Sequence, residues 1–271
     1  MTIVIRDTTF NKTIDFKSWE FPGGEVGVKI DIPLILGNVQ VEVTGYINSY
    51  SLMVAKQIIS VLNQAACKHL TLFMPYLPYA RQDRVCNVGE DFALKTFIES
   101  FFRELEINQL VVYDLHSHVS ADLLHKYVES LVQIPQAHLV RSILKNYDIL
   151  VFPDKGAARK QGTYNAFLHR DLTVVSLDKT RVEGKVFYPK LELALSGKKA
   201  LVVDDICDGG ATFVALAQSL VNKPAQLDLY VTHGIFSQGL DTIYAYYHNV
   251  FTANLMSSDA RVVSEVQVIN I

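Results

Sequence analysis

Two adjacent carboxylates, Asp204 and Asp205, are followed, after Ile206 and Cys207, by Asp208-Gly209-Gly210-Ala211-Thr212 and then by the helix-spaced run FVALAQSLV. A loop with so little side-chain bulk turns its backbone N–H groups toward an anion, and a helix start adds a positive end to the same spot. An ionised Asp only accepts hydrogen bonds, so it suits the vicinal hydroxyls of a sugar, which donate. Together these parts can hold a phosphorylated sugar. A plain βα turn capped by Asp208 or Thr212 would use the same residue types. The order of the parts favours a ligand. The acids follow Val202 and Val203, which read as the end of a buried strand, and open α/β sheets bind ligands at the carboxyl ends of their strands.

Three further stretches carry chemistry. Pro75-Tyr76-Leu77-Pro78-Tyr79-Ala80 leads into Arg81-Gln82-Asp83-Arg84. A planar guanidinium donates in pairs and matches polyphosphate, although four polar residues in a row also describe a solvated loop. Strand LVVYD ends in Asp114-Leu115-His116, a carboxylate and an imidazole able to take a divalent cation. A lone histidine there is otherwise a structural hydrogen-bonder. Lys179 and Arg181 alternate and point the same way if extended. On a loop closing over a triphosphate they would stabilise charge in phosphoryl transfer; otherwise they decorate a basic hairpin.

The elements that must position these residues follow from periodicity. Up to Gly45 the chain reads as short strands broken by turns at Asn11-Lys12 and Phe21-Pro22-Gly23-Gly24-Glu25. From Ser51 the order is helix, strand, helix, strand, which argues for mostly parallel sheets. Within it, Gly89-Glu90 is expected to start an amphipathic helix. Two domains are expected, 1–143 and 144–271, with helix HLVRSILKNY opening the second and the last strand, VVSEVQVINI, able to pack back on the first. The 271 residues are 49% hydrophobic, enough for proper cores. The net charge of -3 recruits no nucleic acid. Apolar runs are strand-length, so no membrane span is expected, and MTIVIRDTTF lacks a signal-peptide layout. Cys67, Cys86 and Cys207 form neither a metal motif nor a disulfide framework, which suits the cytoplasm.

PYLPYARQDR, DLH, FPD and VVDD, in this order, resemble the motifs of ribose-phosphate pyrophosphokinases (PRPP synthetases). The resemblance spans about Phe21 to Ile271 and implies two type I phosphoribosyltransferase-like α/β domains. It implies that Arg81, Gln82, Asp83 and Arg84 contact ATP, with Phe21 and Glu25 reaching the nucleotide of a neighbouring subunit in a homodimer or homohexamer. It implies magnesium at His116 and Asp154, catalytic roles for Lys179 and Arg181, and ribose phosphate held by Asp204, Asp205 and residues 208 to 212. Two departures bear on substrate. Gly23 stands where the family has an Asp that helps read adenine. Gly209 stands where the phosphate loop usually has Thr.

The expected activity is Mg2+-dependent transfer of the β,γ-diphosphate of ATP to the anomeric hydroxyl of ribose 5-phosphate, giving PRPP and AMP. One alternative acceptor is a ribose extended at its 5-phosphate, such as ADP-ribose, because Gly209 leaves room. Two other readings are a phosphoribosyltransferase that consumes PRPP, which leaves PYARQDR and DLH unexplained, and a non-catalytic regulatory homologue.

Overall fold

The computed structural model describes residues 2–33, 36–158, 161–165, 172–182 and 185–269. The chain divides into two compact units, Met1–Ile134 and Pro135–Ile271. The division precedes the expected 143/144 because the segment from Pro135 already forms a helix of the second unit.

The first unit runs β1 (Thr2–Asp7), β2 (Lys12–Thr13), β3 (Phe16–Glu20), β4 (Val26–Ile30), β5 (Asn38–Thr44), α1 (Ser49–Gln64), β6 (His69–Phe73), α2 (Ala93–Phe102), β7 (Gln109–Tyr113), α3 (His118–Leu124) and β8 (Ser130–Ile134). Its six-stranded sheet has the order β2-β1-β5-β6-β7-β8. β1 is antiparallel to β2 and β5, while β5 to β8 run parallel. β3 and β4 form a separate hairpin. Alternation in NVQVEVT sends Val39, Val41 and Val43 into the core. α1 begins in a capping box: the Asn48 side chain accepts from the Ser51 N–H, and the Ser51 hydroxyl oxygen accepts from the Asn48 N–H. Its Val54, Ala55, Ile58, Ile59 and Leu62 fall on one buried face.

The helix expected from Gly89-Glu90 starts later, at Ala93. Glu90 instead closes a loop, its carboxylate accepting from the N–H groups of Cys86 and Asn87. Gly89 sits at φ +92°, a left-handed conformation that suits a turn rather than a helix.

The second unit runs α4 (Gln136–Leu144), β9 (Ile149–Phe152), α5 (Lys155–Ala158), α6 (Gln161–Asn165), β10 (Thr173–Ser176), β11 (Thr180–Val182), β12 (Lys185–Phe187), β13 (Lys199–Cys207), α7 (Ala211–Ser219), β14 (Gln226–Gly234), α8 (Asp241–Tyr244), β15 (Val250–Leu255), α9 (Ala260–Glu265) and β16 (Gln267–Val268). Its sheet, in the order β10-β9-β13-β14-β15-β16, is parallel throughout. The closing strand β16 pairs with β15 in this sheet. β9 and residues 200–203 of β13 are unbroken buried apolar runs, as strands covered on both faces require. With every strand parallel, the loops leaving β9, β10, β13 and β14 emerge at one edge. Asp154, Lys179 and the glycine turn Asp208-Gly209-Gly210 lie on those loops.

β13 runs on through Asp204 and Asp205 to Cys207, past the expected end at Val203. Ile206 and Cys207 still pair with His233 and Gly234 of β14. The two acids are therefore held by the sheet rather than by a loop. Among the described residues no helix is long and apolar enough to cross a membrane.

Candidate functional site

In the second unit the site is built from the carboxyl end of β13. Asp204 and Asp205 are half-buried, and the Asp205 N–H donates to Asp204 Oδ1 at 2.9 Å. Gln136 of α4 supports the strand from behind. Its Nε2 donates to the Asp204 carbonyl at 2.6 Å, and its Oε1 accepts from the buried Tyr164 hydroxyl at 2.7 Å. Burial, then the negative charges of Asp205 and Asp154, push the Asp204 carboxyl well above the usual carboxylate range. The three acids thus disfavour one another's ionisation at this edge. Gln136 carries no motif in the sequence; only the fold shows that it positions Asp204.

The glycine turn follows. Gly210 is the N-cap of α7 at φ +80°, so the chain enters the helix through a left-handed residue. A Cβ at Gly210 would lie 3.0 Å from Ile243. Gly209 is exposed and has no such constraint; a Cβ there would meet Gln238 at 3.4 Å. Asp208 is fixed from the neighbouring loop. Ser237 donates its hydroxyl to Asp208 Oδ1 at 2.6 Å and its N–H to the Asp208 carbonyl at 3.1 Å. The helix begins at Ala211, so Ala211 and Thr212 lie in its first turn. Cys207 is fully buried, and burial raises its thiol; it acts as a small core residue.

Two ion pairs cross at the same edge. Lys179 Nζ lies 2.6 Å from Asp154 Oδ2, and Lys155 Nζ lies 2.8 Å from Asp178 Oδ2. Residues 154–155, after β9, thereby tie down residues 178–179, after β10. The outer pair is well exposed and weak. The inner pair is mostly covered, with side-chain exposures of 18% for Lys179 and 28% for Asp154. Asp154 Oδ1 also accepts from the Ala157 N–H at 2.8 Å. Burial works to raise the Asp154 carboxyl, but Lys179 and this N–H outweigh it and hold it below the usual range. β11 pairs with β12 as a hairpin, Arg181 opposite Val186. Lys179 thus lies just before β11 and Arg181 within it, while the Arg181 side chain lies outside the described residues.

In the first unit the loop after β6 is shaped by its apolar residues. Leu77 and Ala80 are buried, Tyr79 takes φ +62°, and its ring lies 5.2 Å from that of Phe97. Arg81, Gln82 and Arg84 are left at the surface. Asp83 turns inward at 4% exposure. Arg84 grips it with two bonds of 2.7 and 2.9 Å. The Arg84 guanidinium outweighs burial and holds the Asp83 carboxyl below its usual range, with smaller help from the nearby Ser117 and His116. A carboxylate occupied in this way positions Arg84 and is poorly placed to touch a polyphosphate. Asp114 is buried at φ +37°, and this bend brings His116 out at the surface after β7.

Phe21 and Glu25 close the turn between β3 and β4. The Phe21 N–H donates to the Glu25 carbonyl at 2.8 Å. The Phe21 ring meets Trp19 edge-on at 5.9 Å and is 48% exposed. A Cβ at Gly23 would fall 2.5 Å from Glu25 Oε2. The Glu25 carboxylate thus takes up the space that a side chain at 23 would occupy.

Magnesium binds through few carboxylates plus water and phosphate oxygens. Among the described residues no three His, Cys, Asp or Glu side chains cluster closely enough to form a complete cage. Asp154, from the segment after β9, and Asp204 and Asp205, at the end of β13, carry hard oxygen donors at one edge of the second unit's sheet. That donor set fits a cation arriving with phosphate, not one held by protein alone.

No family model matches the sequence. Ribose-phosphate pyrophosphokinases are similar to it over most of its length. That of Pyrococcus abyssi is 27% identical over 227 residues, covering 81% of this chain and 76% of the relative. That of Aquifex aeolicus is 27% identical over 250 residues, covering 84% and 78%. Among solved structures, phosphoribosylpyrophosphate synthetase from Mycobacterium smegmatis superposes with a TM-score of 0.71 at 19% identity, covering 89% of this chain and 80% of the other. That likeness establishes the expected fold class, α/β with phosphoribosyltransferase-like parallel sheets.

Proposed function

We propose that the protein is an ATP-dependent diphosphotransferase acting on a ribose 5-phosphate. The observation that carries this reading is the single edge of the second unit's sheet. There the acids at the end of β13, the glycine-capped start of α7 that follows them and a covered Lys179 ammonium from the segment after β10 lie at the carboxyl ends of the parallel strands. The names of the relatives supply the reaction.

The backbone N–H groups of residues 208–212 and the α7 N-terminus would bind the 5-phosphate. Asp204 and Asp205 would accept from the ribose hydroxyls. The anomeric oxygen then attacks the β-phosphorus of ATP. The bond from that phosphorus to the α,β-bridging oxygen breaks, AMP leaves, and the hydroxyl proton passes to water. Lys179 and Arg181 would stabilise the charge spread over the transferring group. Little covalent chemistry is asked of the protein, because positioning and charge account for most of such catalysis. Arg81, Gln82 and Arg84 would hold the nucleotide, with Asp83 fixing Arg84. Phe21 and Glu25 would serve the nucleotide of a second subunit. Asp154, and separately His116, would hold Mg2+, which when bound neutralises polyphosphate charge.

A second acceptor is favoured by one observation. Gly209 has no left-handed backbone and no crowding that demands glycine, so its missing side chain is not required by the fold. It leaves room for a ribose whose 5-phosphate carries a further group, such as ADP-ribose. The test is AMP formation from ATP and Mg2+ with ribose 5-phosphate and ADP-ribose side by side. AMP release with neither acceptor overturns the reading. Strict use of ribose 5-phosphate removes the extended acceptor.

A further inference from the structure

The opposite edge of the second unit's sheet carries a cavity of about 300 Å3. It is lined by residues at or just before the amino ends of the strands: Tyr147, Lys199, Gln226, Asp228, Asn249 and Phe251, with Asn146 and Gln267 beside them. The volume is at the small end of the range for ligand pockets. The carboxyl-edge loops that carry Asp154 and Asp208 take no part in it.

Its wall is rigid. Asp228 is fully buried. Its Oδ2 accepts from the Tyr147 hydroxyl at 2.5 Å and from Gln226 Nε2 at 2.6 Å, and its Oδ1 accepts from the Asn249 N–H at 3.0 Å. Asn249 Nδ2 spans both carboxylate oxygens at 3.2 Å. Gln267 Nε2 donates to Asn249 Oδ1 at 3.1 Å. The carboxylate is saturated, so it acts as a positioning group that fixes the amides around it.

The amides, by contrast, are not used up. Gln226 spends one N–H on Asp228 and retains a second N–H and its carbonyl oxygen. The Gln267 carbonyl oxygen and the Asn146 side chain accept or donate in no bond among the described residues. Lys199 lies at the rim, exposed, with no carboxylate partner among the described residues. Phe251 is half-buried and offers part of a ring. A carboxamide matches an edge that presents a donor beside an acceptor, as Gln and Asn do with adenine. An aromatic ring stacks on any base, and a cation at the rim suits a phosphate.

We infer that this cavity binds a nucleobase, as a free nucleoside or its monophosphate, on the face of the sheet edge away from the acid–glycine loop. The inference does not rest on the diphosphate-transfer reading, since it uses none of the same residues.

The experiment is saturation-transfer NMR and calorimetric titration of the full chain with guanosine, adenosine and their monophosphates. The same titrations are run on Gln226→Leu, Gln267→Leu, Lys199→Met and Arg81→Ala. Gln267 and Lys199 are exposed, so their variants should fold even if Gln226→Leu does not. At least one of these ligands should bind, at least tenfold more weakly in Gln267→Leu and equally well in Arg81→Ala. If the monophosphate binds more tightly and loses that advantage in Lys199→Met, the ligand is a nucleotide; equal binding marks a nucleoside, and either supports the site. No binding to the wild type, or binding that ATP displaces and Arg81→Ala abolishes while Gln267→Leu spares it, overturns it. Loss of ATP turnover with base binding intact would instead count against the proposed function alone.

Discussion

Replacing Lys179 by Met separates the two roles that its ammonium could play. In the structure the Lys179 nitrogen neutralises Asp154 at 2.6 Å, beside two more acids, with roughly four-fifths of the lysine side chain covered. Removing it strands a partly buried carboxylate, which costs about 1–3 kcal/mol. At about 2–4 °C per kcal/mol for a chain of this size, Tm should fall by about 2–12 °C. The catalytic loss should be of a different order. A preorganised group aimed at developing charge is worth about 10²–10³ in kcat, so kcat should drop by that much while KM for ATP moves far less. Thermal unfolding and steady-state AMP release report the two quantities separately. The double variant Asp154→Asn/Lys179→Met removes the stranded charge and should regain much of the lost Tm without regaining kcat. Turnover within about threefold of the wild type in folded Lys179→Met would refute the transition-state role. Recovery of kcat in the double variant would refute it too, by showing that the loss came from the stranded charge.

Two further outcomes follow from local geometry. Gly210→Ala places a Cβ at φ +80° and 3.0 Å from Ile243, so it should destabilise the second unit by about 1–2 kcal/mol. Gly209→Ala should stay within about 1 kcal/mol of the wild type; urea unfolding that reverses this order would contradict the turn geometry. Asp83 has its carboxyl held below 3.8 in the folded state, chiefly by Arg84. Its ionic contribution is therefore complete above the unfolded value of about 3.9 and is lost as pH falls through the lower folded value. The stability gap between the wild type and Asp83→Asn should be widest above pH ~5 and should close in acid. A gap independent of pH would mean that packing, not charge, holds Asp83.

Much of this arrangement was legible because it is written in local pattern. The alternation in VQVEVT and the helix spacing from Ser51 specify single elements, although the helix itself starts at Ser49, and the order of strand and helix specifies parallel sheets. The acids and glycines at a strand end read as a candidate ligand loop. What could not be read depends on partners distant in the chain. β13 continues past Val203 because His233 and Gly234 of β14 offer it a ladder. Gln136 reaches the Asp204 carbonyl, and Tyr147 reaches Asp228, across 68 and 81 residues. The resemblance alone set Asp83 beside Arg81, Gln82 and Arg84 as an ATP contact; its burial at 4% exposure and its pairing with Arg84 are visible only in the fold. The helix at Gly89-Glu90 failed for a local reason, since Glu90 had better acceptor work in the turn than in a first helical turn.

The two loop glycines, adjacent in sequence, answer to different demands. Gly210 is required by the backbone: its φ is positive and Ile243 packs where a Cβ would go. Gly209 has neither constraint, and its nearest neighbour, Gln238, is a flexible side chain at ordinary contact distance. A Cβ is tolerated at 209, and a threonine hydroxyl there would add a donor to the proposed phosphate loop. On the proposal of an extended acceptor, the absence of that donor serves what the loop would have to admit. A loop that holds a terminal phosphate gains from every added donor. A loop that must let a second group pass beyond that phosphate gains from space. Gly209 is thus the position where the choice of acceptor is least masked by the needs of the fold.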